Sequence, residues 1–194
     1  MAVARDTLTR SQAARRGRVL EAAMRLAADG GYEAVQMRDV ATKAEVALGT
    51  IYRYFTSKDH LLAASLVEWS RDLERRLASK PARGETTADR VVDVLSRATR
   101  SMQRSRSLTA ALITAVTSSD PAVGECQREL TSVMSEMMLE AMEGLDDEAL
   151  KQDVSRVLSH VWFAALVGWV HGWEQRGEIT DEVAVAARRM LGSR

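Results

Sequence analysis

Apolar residues recur at the spacing of a helix face along most of the chain. In the first such segment Val19, Ala22, Ala23 and Leu26 share one face at i, i+3, i+4 and i+7. Few stretches show the strict alternation of apolar and polar residues that is typical of a half-buried strand. The pattern therefore predicts an all-α protein.

Cap and turn residues divide this pattern into about nine helices. Gly30-Gly31 is expected to end the first helix, because glycine readily adopts the left-handed conformation of a C-cap. Ser57 is a predicted N-cap, and Asp120-Pro121 combines an acidic cap with proline at the first helical position. The predicted helices span 11–30, 37–44, 48–55, 58–79, 89–103, 108–117, 121–144, 147–175 and 181–191.

Two of these helices are short and adjacent. Segments 37–44 and 48–55 are joined by the break Glu45–Ala47, a pattern that matches the helix-turn-helix unit. Helices of this length are marginal in water on their own. We therefore expect them to pack against neighbouring helices through core residues such as Ile51 and Phe55.

Charge is distributed unevenly, although the net charge of the 194 residues is zero. Residues 1–63 carry ten Lys and Arg against seven Asp and Glu, whereas the remainder carries 17 against 20. Five arginines lie within residues 1–18 beside the single acid Asp6. A basic end of this kind suggests a surface for a polyanion, although a solvated tail has the same composition.

Other features favour an intracellular protein. Cys126 is the single cysteine and fits a reducing compartment. Segment 1–17 is polar and lacks the apolar core of a signal peptide. The longest apolar stretch, 161–170, is too short to span a bilayer. We expect a soluble, cytoplasmic protein without a membrane partner.

Catalytic chemistry has little support in the sequence. The three histidines are accompanied by no nucleophile triad, zinc-ligand spacing or phosphate loop. His160, His171 and Glu174 fall near one helix face, where ordinary polar residues are favoured over a metal site. Cys126 is favoured as an inert buried thiol over a redox sensor. No catalytic residue, metal site or cofactor is predicted.

The strongest signal is the run from Gly30 to Leu62. Gly49 allows the backbone of the second short helix to approach a partner closely, and Thr50 adds a hydroxyl for a phosphate or a base edge. Tyr52 and Tyr54 place phenolic hydroxyls on an otherwise apolar helix, and phosphate oxygens are natural acceptors for them. The residue types therefore suit contact with nucleic acid.

Two cations in the same run begin predicted helices. Lys58 starts the long fourth helix, and Arg38 holds the equivalent place on the first short helix. At such positions the side-chain charge, the free backbone N–H groups and the helix dipole all favour an anion.

This run resembles the tetracycline-repressor (TetR) family. The family pattern G-T-[LI]-Y-x-[YH]-F, then x-S-K-x-x-L, stands here as GTIYRYF followed by TSKDHL from residue 49, and the resemblance covers 15–66. It implies a three-helix DNA-binding domain at 1–62, with residues 1–10 disordered. A helical effector-binding and dimerisation domain would follow at 63–194.

The resemblance also implies which side chains meet double-stranded DNA. The second short helix would enter the major groove, and a dimer would bind two half-sites of a palindromic operator. Arg53 is left open between a groove contact and solvated surface, and Tyr32 is favoured as a packing residue. The residues facing the groove would be Ala47, Leu48, Gly49, Thr50 and Tyr52. Those holding phosphates would be Gln36, Arg38, Thr50, Tyr54 and Lys58.

Members of this family dimerise through their last two helices, so a homodimer is expected. Segment 147–175 is apolar on more than one face, and 181–191 also carries an apolar stripe. A dimer interface is favoured, although intrachain core packing would give the same pattern. The candidate interface residues are Val154, Val157, Leu158, Val161, Val183, Ala187 and Met190.

An effector cavity in the C-terminal domain is also expected. Nine methionines and four tryptophans offer adaptable, bulky walls for an apolar ligand. Core packing is the commoner role for each such side chain. The candidate ligand-binding residues are Trp69, Leu73, Leu112, Met134, Met137, Met138, Trp162 and Trp169.

Several stretches resemble the steroid- and cholesterol-catabolism repressors within this family: GGYEAVQMR, VALGTIYRYFTSK, SMQR and VWFAALVGW. Those regulators are relieved by CoA thioesters of steroid catabolites. The resemblance implies a repressor released by a small apolar, acyl-CoA or steroid-derived effector. A DNA-binding regulator without an effector and a helical enzyme are the alternatives.

Overall fold

A computed structural model describes residues 9–173 and 178–192. All regular secondary structure in these ranges is helical, so the predicted all-α class is confirmed. The predicted disorder of residues 1–10 falls mainly on residues 1–8, which lie outside the described residues. The described helices are α1 (Arg10–Ala34), α2 (Met37–Lys43), α3 (Leu48–Tyr54), α4 (Lys58–Ser79), α5 (Thr87–Met102), α6 (Arg106–Val116), α7 (Pro121–Ala141), α8 (Glu148–His171) and α9 (Glu178–Leu191).

Helix α1 begins with a capping box and contains a kink. The side chain of Thr9 accepts a hydrogen bond from the Gln12 N–H, and the Gln12 side chain accepts one from the Thr9 N–H. Gly30 and Gly31 leave helical geometry, and the φ of Gly31 is 72°. The predicted end at this glycine pair is therefore a kink, after which a short extension reaches Ala34.

The chain divides into two compact units, each made of two stretches. The first unit comprises the residues up to Trp69 together with Ser105–Glu129. Within it α1 packs against α6 and α2, and α2 packs against α3. Ile51 and Phe55 are buried in its core, and burial of a large apolar side chain contributes about 1.5–3 kcal/mol. This packing stabilises the short helices α2 and α3.

The second unit comprises Ser70–Arg104 and the chain from Leu130 onward. Helix α9 packs against both α5 and α8. Trp162 on α8 donates a hydrogen bond from Nε1 to Oγ1 of Thr99 on α5 at 2.9 Å, and both side chains are buried. The indole therefore satisfies its single donor inside the core.

Helix boundaries follow the caps. Helix α5 starts two residues earlier than predicted, because Thr86 and Asp89 form a reciprocal capping box. Helix α8 ends at His171, where Gly172 adopts the left-handed conformation with a φ of 82°. The predicted end near Gln175 lies outside the described residues. No helix in the described ranges is both long enough and apolar enough to cross a membrane.

Candidate nucleic-acid interface

The turn between α2 and α3 is held by short-range hydrogen bonds. Glu45 has a φ of 54°, and its N–H donates to the Thr42 carbonyl at 3.2 Å. Arg18 of α1 donates from Nε to the Ala44 carbonyl at 3.2 Å. This bond satisfies a carbonyl at the end of α2, which would otherwise lack an intrahelical partner. The turn is thus fixed to α1 while α3 keeps its outer face free.

Helix α3 has one buried face and one exposed face. Ile51 is fully buried, whereas the Tyr52 side chain is 52% exposed. A Cβ added at Gly49 would meet no atom within 4 Å. Nothing inside the chain therefore requires glycine there. The predicted groove residues, all exposed or half-buried, are Ala47, Leu48, Gly49, Thr50 and Tyr52.

Two predicted phosphate residues flank the beginning of α2. Arg38 lies in its first turn and is exposed. Gln36 occupies the N-cap position without capping the helix, and its Nε2 donates to the Glu33 carbonyl at 3.0 Å. The free N–H groups of the α2 terminus therefore have no side-chain cap, and the exposed Arg38 lies in the same turn, a combination that suits a phosphate.

Lys58 starts α4 and contacts Tyr32. Its Nζ lies 3.7 Å from the centroid of the Tyr32 ring, donates to the Tyr32 carbonyl at 3.3 Å and lies 3.9 Å from a Glu33 carboxylate oxygen. The Tyr32 hydroxyl donates to the carboxylate of Asp59. Burial, this bond and the charges of Asp59 and Glu33 raise the pKa of Tyr32 to about 12. Tyr32 thus packs within the unit and positions Lys58.

Tyr54 differs from the other predicted phosphate residues. Its side chain is only 3% exposed, and its hydroxyl is buried without a hydrogen-bond partner among the described residues. Arg53 lies over its ring, with 5.5 Å between the guanidinium carbon and the ring centroid. An unpaired buried hydroxyl costs about 1–3 kcal/mol. The hydroxyl therefore does not reach the surface, and the predicted phosphate contact is not open to Tyr54 in this arrangement, since exposing its buried ring would cost at least as much as pairing the hydroxyl gains.

A second polar cluster joins the start of α4 to the start of α7 within the first unit. Ser57 Oγ donates to Asp120 Oδ2 at 2.6 Å and accepts from the His60 N–H at 3.0 Å. The Ser57 bond, followed by one from the Ala122 N–H, lowers the pKa of Asp120. Burial lowers the pKa of His60, whose Nδ1 lies 3.2 Å from both N and Oγ1 of Thr56. The sequence indicated Ser57 and Asp120 as separate caps and gave no sign that they bond to each other.

Four of the seven predicted dimer residues are buried in the core of the second unit. Val154, Leu158, Val183 and Ala187 are each at most 1% exposed, so they cannot offer a surface to a partner subunit. Val157, Val161 and Met190 are half-buried. The large exposed apolar residues on or beside α8 and α9 are Phe163, Trp173 and Val185.

The predicted ligand residues are divided between the two units. Trp69 and Leu112 belong to the first unit and the other six to the second. Met137 lines a cavity of about 440 Å³, and Leu73 lines another of about 590 Å³. Within the described ranges no group of three or more His, Cys, Asp or Glu side chains could hold a metal ion, and Glu174 lies outside those ranges.

The short helix pair, the exposed face of α3 and the cations at the starts of α2 and α4 together define a helix-turn-helix DNA-binding regulator. Residues 19–65 match the family model of bacterial regulatory proteins, tetR family, and residues 84–190 match the tetracyclin repressor-like C-terminal domain. The chain belongs to the TetR family. It is a TetR-type transcriptional repressor and not an enzyme, and regulators of this family bind DNA and dimerise.

Known relatives cover nearly the whole chain. The HTH-type transcriptional repressor KstR of Rhodococcus jostii strain RHA1 is 35% identical over 187 residues, which are 96% of this chain and 87% of the relative. A TetR regulator from Rhodococcus sp. RHA1 has a crystal structure that matches with a TM-score of 0.85 at 31% identity, over 94% of this chain and 98% of that one. The repressor FadR of Thermus thermophilus, solved with lauroyl-CoA, has a TM-score of 0.69 at 19% identity, over 92% and 94% of the two chains.

Proposed function

We propose that a homodimer of this chain represses transcription from a palindromic operator, with α3 of each subunit in the major groove. The observation that carries this proposal is the outer face of α3, where Gly49 has no internal role and Tyr52 is exposed. Residues 1–62 act as the DNA-binding domain and 63–194 as the effector-binding and dimerisation domain. Because its target is the chromosome, the protein works in the cytoplasm.

Gly49→Ala tests the groove contact without damaging the fold. Alanine stabilises a helix interior by about 1 kcal/mol relative to glycine, and the new Cβ meets nothing in the chain. We expect thermal stability to hold or rise while operator affinity falls about tenfold, the effect of one lost base contact. The assay is fluorescence anisotropy on the DNA upstream of the protein's own gene.

The matched control is Gly124→Ala on α7. A Cβ there meets only Arg128 Nη1, at 3.9 Å, so this variant gains the same helix propensity away from α3. It should bind the operator like the wild type. Wild-type affinity of Gly49→Ala, or no binding by the wild type to this DNA and to duplexes selected from a random pool, would contradict the proposal.

Salt dependence tests the phosphate contacts. Replacing Arg38 by Ala should weaken binding on every DNA sequence alike and should reduce the slope of log affinity against log salt by about 0.9. Replacing Tyr52 by Ala should instead reduce the preference for the operator over random DNA. If Arg38→Ala leaves the slope unchanged, its guanidinium does not hold a phosphate.

The dimer interface uses the exposed apolar residues of α8 and α9. Phe163 is 37% exposed, Trp173 76% and Val185 59%, and exposed large apolar side chains of this kind are typical of a subunit contact. Phe163→Glu and Val185→Glu should lower the dimer fraction in sedimentation velocity. Ala78→Glu, at an exposed position on α4, is the control. Dimers that persist equally in all three variants would place the interface elsewhere.

The effector is an acyl-CoA or a steroid-derived thioester. Lauroyl-CoA in the Thermus relative supports this class, and the 440 Å³ cavity lined by Leu77, Val94 and Met137 supplies apolar walls for such a ligand. Ala82→Trp would fill this cavity from its rim. The variant should still bind the operator but should no longer be released by lauroyl-CoA or steroid thioesters. Operator affinity that no such compound changes, in the wild type, would favour the alternative of a regulator without an effector.

A further inference from the structure

His60 lies buried at the junction between α3 and α4, where it is only 8% exposed. Its Nδ1 lies 3.2 Å from the backbone N of Thr56, which directly follows the C-cap Phe55 of α3. A backbone N–H can only donate, so Nδ1 is the acceptor and the neutral ring carries its proton on Nε2. The first turn of α4 is thus bonded back to the end of α3.

Two further contacts fix the imidazole ring of His60. It packs edge-on against Phe55, with 5.5 Å between the ring centroids and 74° between the ring planes. The opposite partner of Phe55 is Arg16 of α1, whose guanidinium carbon lies 5.4 Å from the Phe55 ring centroid. The His60 backbone N–H donates to Ser57 Oγ at 3.0 Å. A side chain restrained in this way holds its acceptor at a defined place.

The bond to Thr56 exists only while His60 is neutral, because a protonated Nδ1 would direct a hydrogen at another donor. The charged groups that face the ring are Arg16 of α1 and, from the start of α7, Asp120 and Glu125. Burial is the largest influence and lowers the pKa of His60; Arg16 adds to this, and the two carboxylates oppose it. The surroundings therefore favour the neutral form that the bond needs.

We propose that neutral His60 is a positioning residue, which fixes the end of α3 to the start of α4 and thereby orients α3 for contact with DNA. Helix α3 has only seven residues, so its orientation depends on tertiary contacts. The turn before it is held by the bond from Arg18 to the Ala44 carbonyl, and the residue after its C-cap is held by His60. An effect on operator affinity rests on the proposed function, whereas the bond to Thr56 does not.

Two variants separate the acceptor of His60 from its ring. His60→Asn keeps an acceptor, since Oδ1 is attached to Cγ as Nδ1 is, but it loses the ring. His60→Phe keeps an aromatic ring beside Phe55 but has no acceptor. At pH 7.5 we expect His60→Asn to bind the operator like the wild type and His60→Phe to bind about fivefold more weakly, the effect of one hydrogen bond. Fluorescence anisotropy measures both affinities.

The pH profile is a readout that a purely structural role would not change. Because the pKa of His60 is lowered from its ordinary value of about 6.5, the bond is intact above pH 6.5 and is lost as the pH falls through the lowered pKa. Over this fall the wild type should lose about fivefold in operator affinity relative to His60→Asn, which does not titrate there. The matched control His160→Asn, at an exposed position on α8, should keep the wild-type profile.

Nitrogen NMR of the imidazole tests the bond in the absence of DNA. Neutral His60 should be the Nε2–H tautomer, and the Thr56 amide should exchange faster in His60→Phe than in His60→Asn. The proposal would be overturned by an Nδ1–H tautomer, by equal operator affinities of the two His60 variants, or by a shared pH profile of the wild type and His60→Asn. A wild type that binds no DNA would contradict the proposed function and with it the positioning role, although the expected tautomer would still support the bond.

Discussion

The hydrogen bond between Ser57 and Asp120 should couple the start of α4 to the start of α7. Ser57→Ala removes two interactions, the bond to Asp120 and the N-cap bond from His60. Asp120→Ala removes the same shared bond and the cap bond from the Ala122 N–H at 2.9 Å. A double-mutant cycle on this pair isolates the shared bond, since each cap bond is lost in only one single variant.

The expected magnitudes follow from these bonds. Each cap bond contributes about 1 kcal/mol. The shared bond has a charged acceptor, but solvent reaches Asp120, so it contributes about 1 kcal/mol, less than the roughly 1.5–3 kcal/mol typical of bonds to charged groups. Each single variant should therefore lose about 2 kcal/mol, the double variant about 3 kcal/mol, and the coupling free energy should be about 1 kcal/mol.

Urea unfolding followed by circular dichroism measures the cycle at pH 7. The bond lowers the pKa of Asp120, so its contribution is present above the ordinary carboxyl pKa of about 3.9 and is lost as pH falls through the lowered value. Coupling should thus be constant between pH 5 and pH 8. Ser105→Ala, which removes the N-cap bond from the Leu108 N–H on α6, is the control and should be additive with Asp120→Ala. Coupling within about 0.3 kcal/mol of zero for Ser57 and Asp120 would refute the reasoning.

Three further predictions concern single side chains. Burial, with the charge of a nearby glutamate, raises the pKa of the Cys126 thiol to about 11, so it should react with Ellman's reagent at pH 8 far more slowly in the folded than in the unfolded protein. The raised pKa of Tyr32 should delay one phenolate in an ultraviolet titration, and Tyr32→Phe should abolish that late step. Trp162→Phe should lower the free energy of unfolding by about 1–3 kcal/mol, because the Thr99 hydroxyl loses its indole donor. The first prediction would be contradicted by fast labelling of Cys126 in the folded protein, and the second by a titration without a late phenolate. An unfolding midpoint that Trp162→Phe leaves unchanged would contradict the third.

Local signals in the sequence were sufficient to predict that these helices exist and, to within a few residues, where they begin. Pro121 after Asp120 predicted the start of α7, and Ser57 predicted the cap of α4. Helix α5 starts two residues before the predicted Asp89, because Thr86 and Asp89 form a capping box whose two residue types are visible in the sequence. Helix α9 begins three residues before the predicted Asp181.

Burial on the C-terminal helices was harder to predict. Periodicity shows that Val154 and Leu158 are apolar, but it cannot say whether α9 or a partner subunit covers them. The cavity lined by Arg76 and Arg100 is hidden in the sequence for a related reason. Arg76 and Arg100 are 24 positions apart, and only the packing of their two helices brings them to one cavity. The first part of the family pattern, residues 49–54, needed no such information, because these residues all lie on α3.

The discontinuous first unit has a consequence for the order of synthesis. Its helices α1 to α3 leave the ribosome early, but α6, which packs against α1, is made after residue 105. Until then the part of α1 that α6 covers has no native partner, so the nascent chain must expose it or hold it transiently against other segments. We therefore expect a ribosome-arrested chain that ends near residue 70 to be sensitive to protease. A chain arrested after residue 129 has left the ribosome should be protected in this unit.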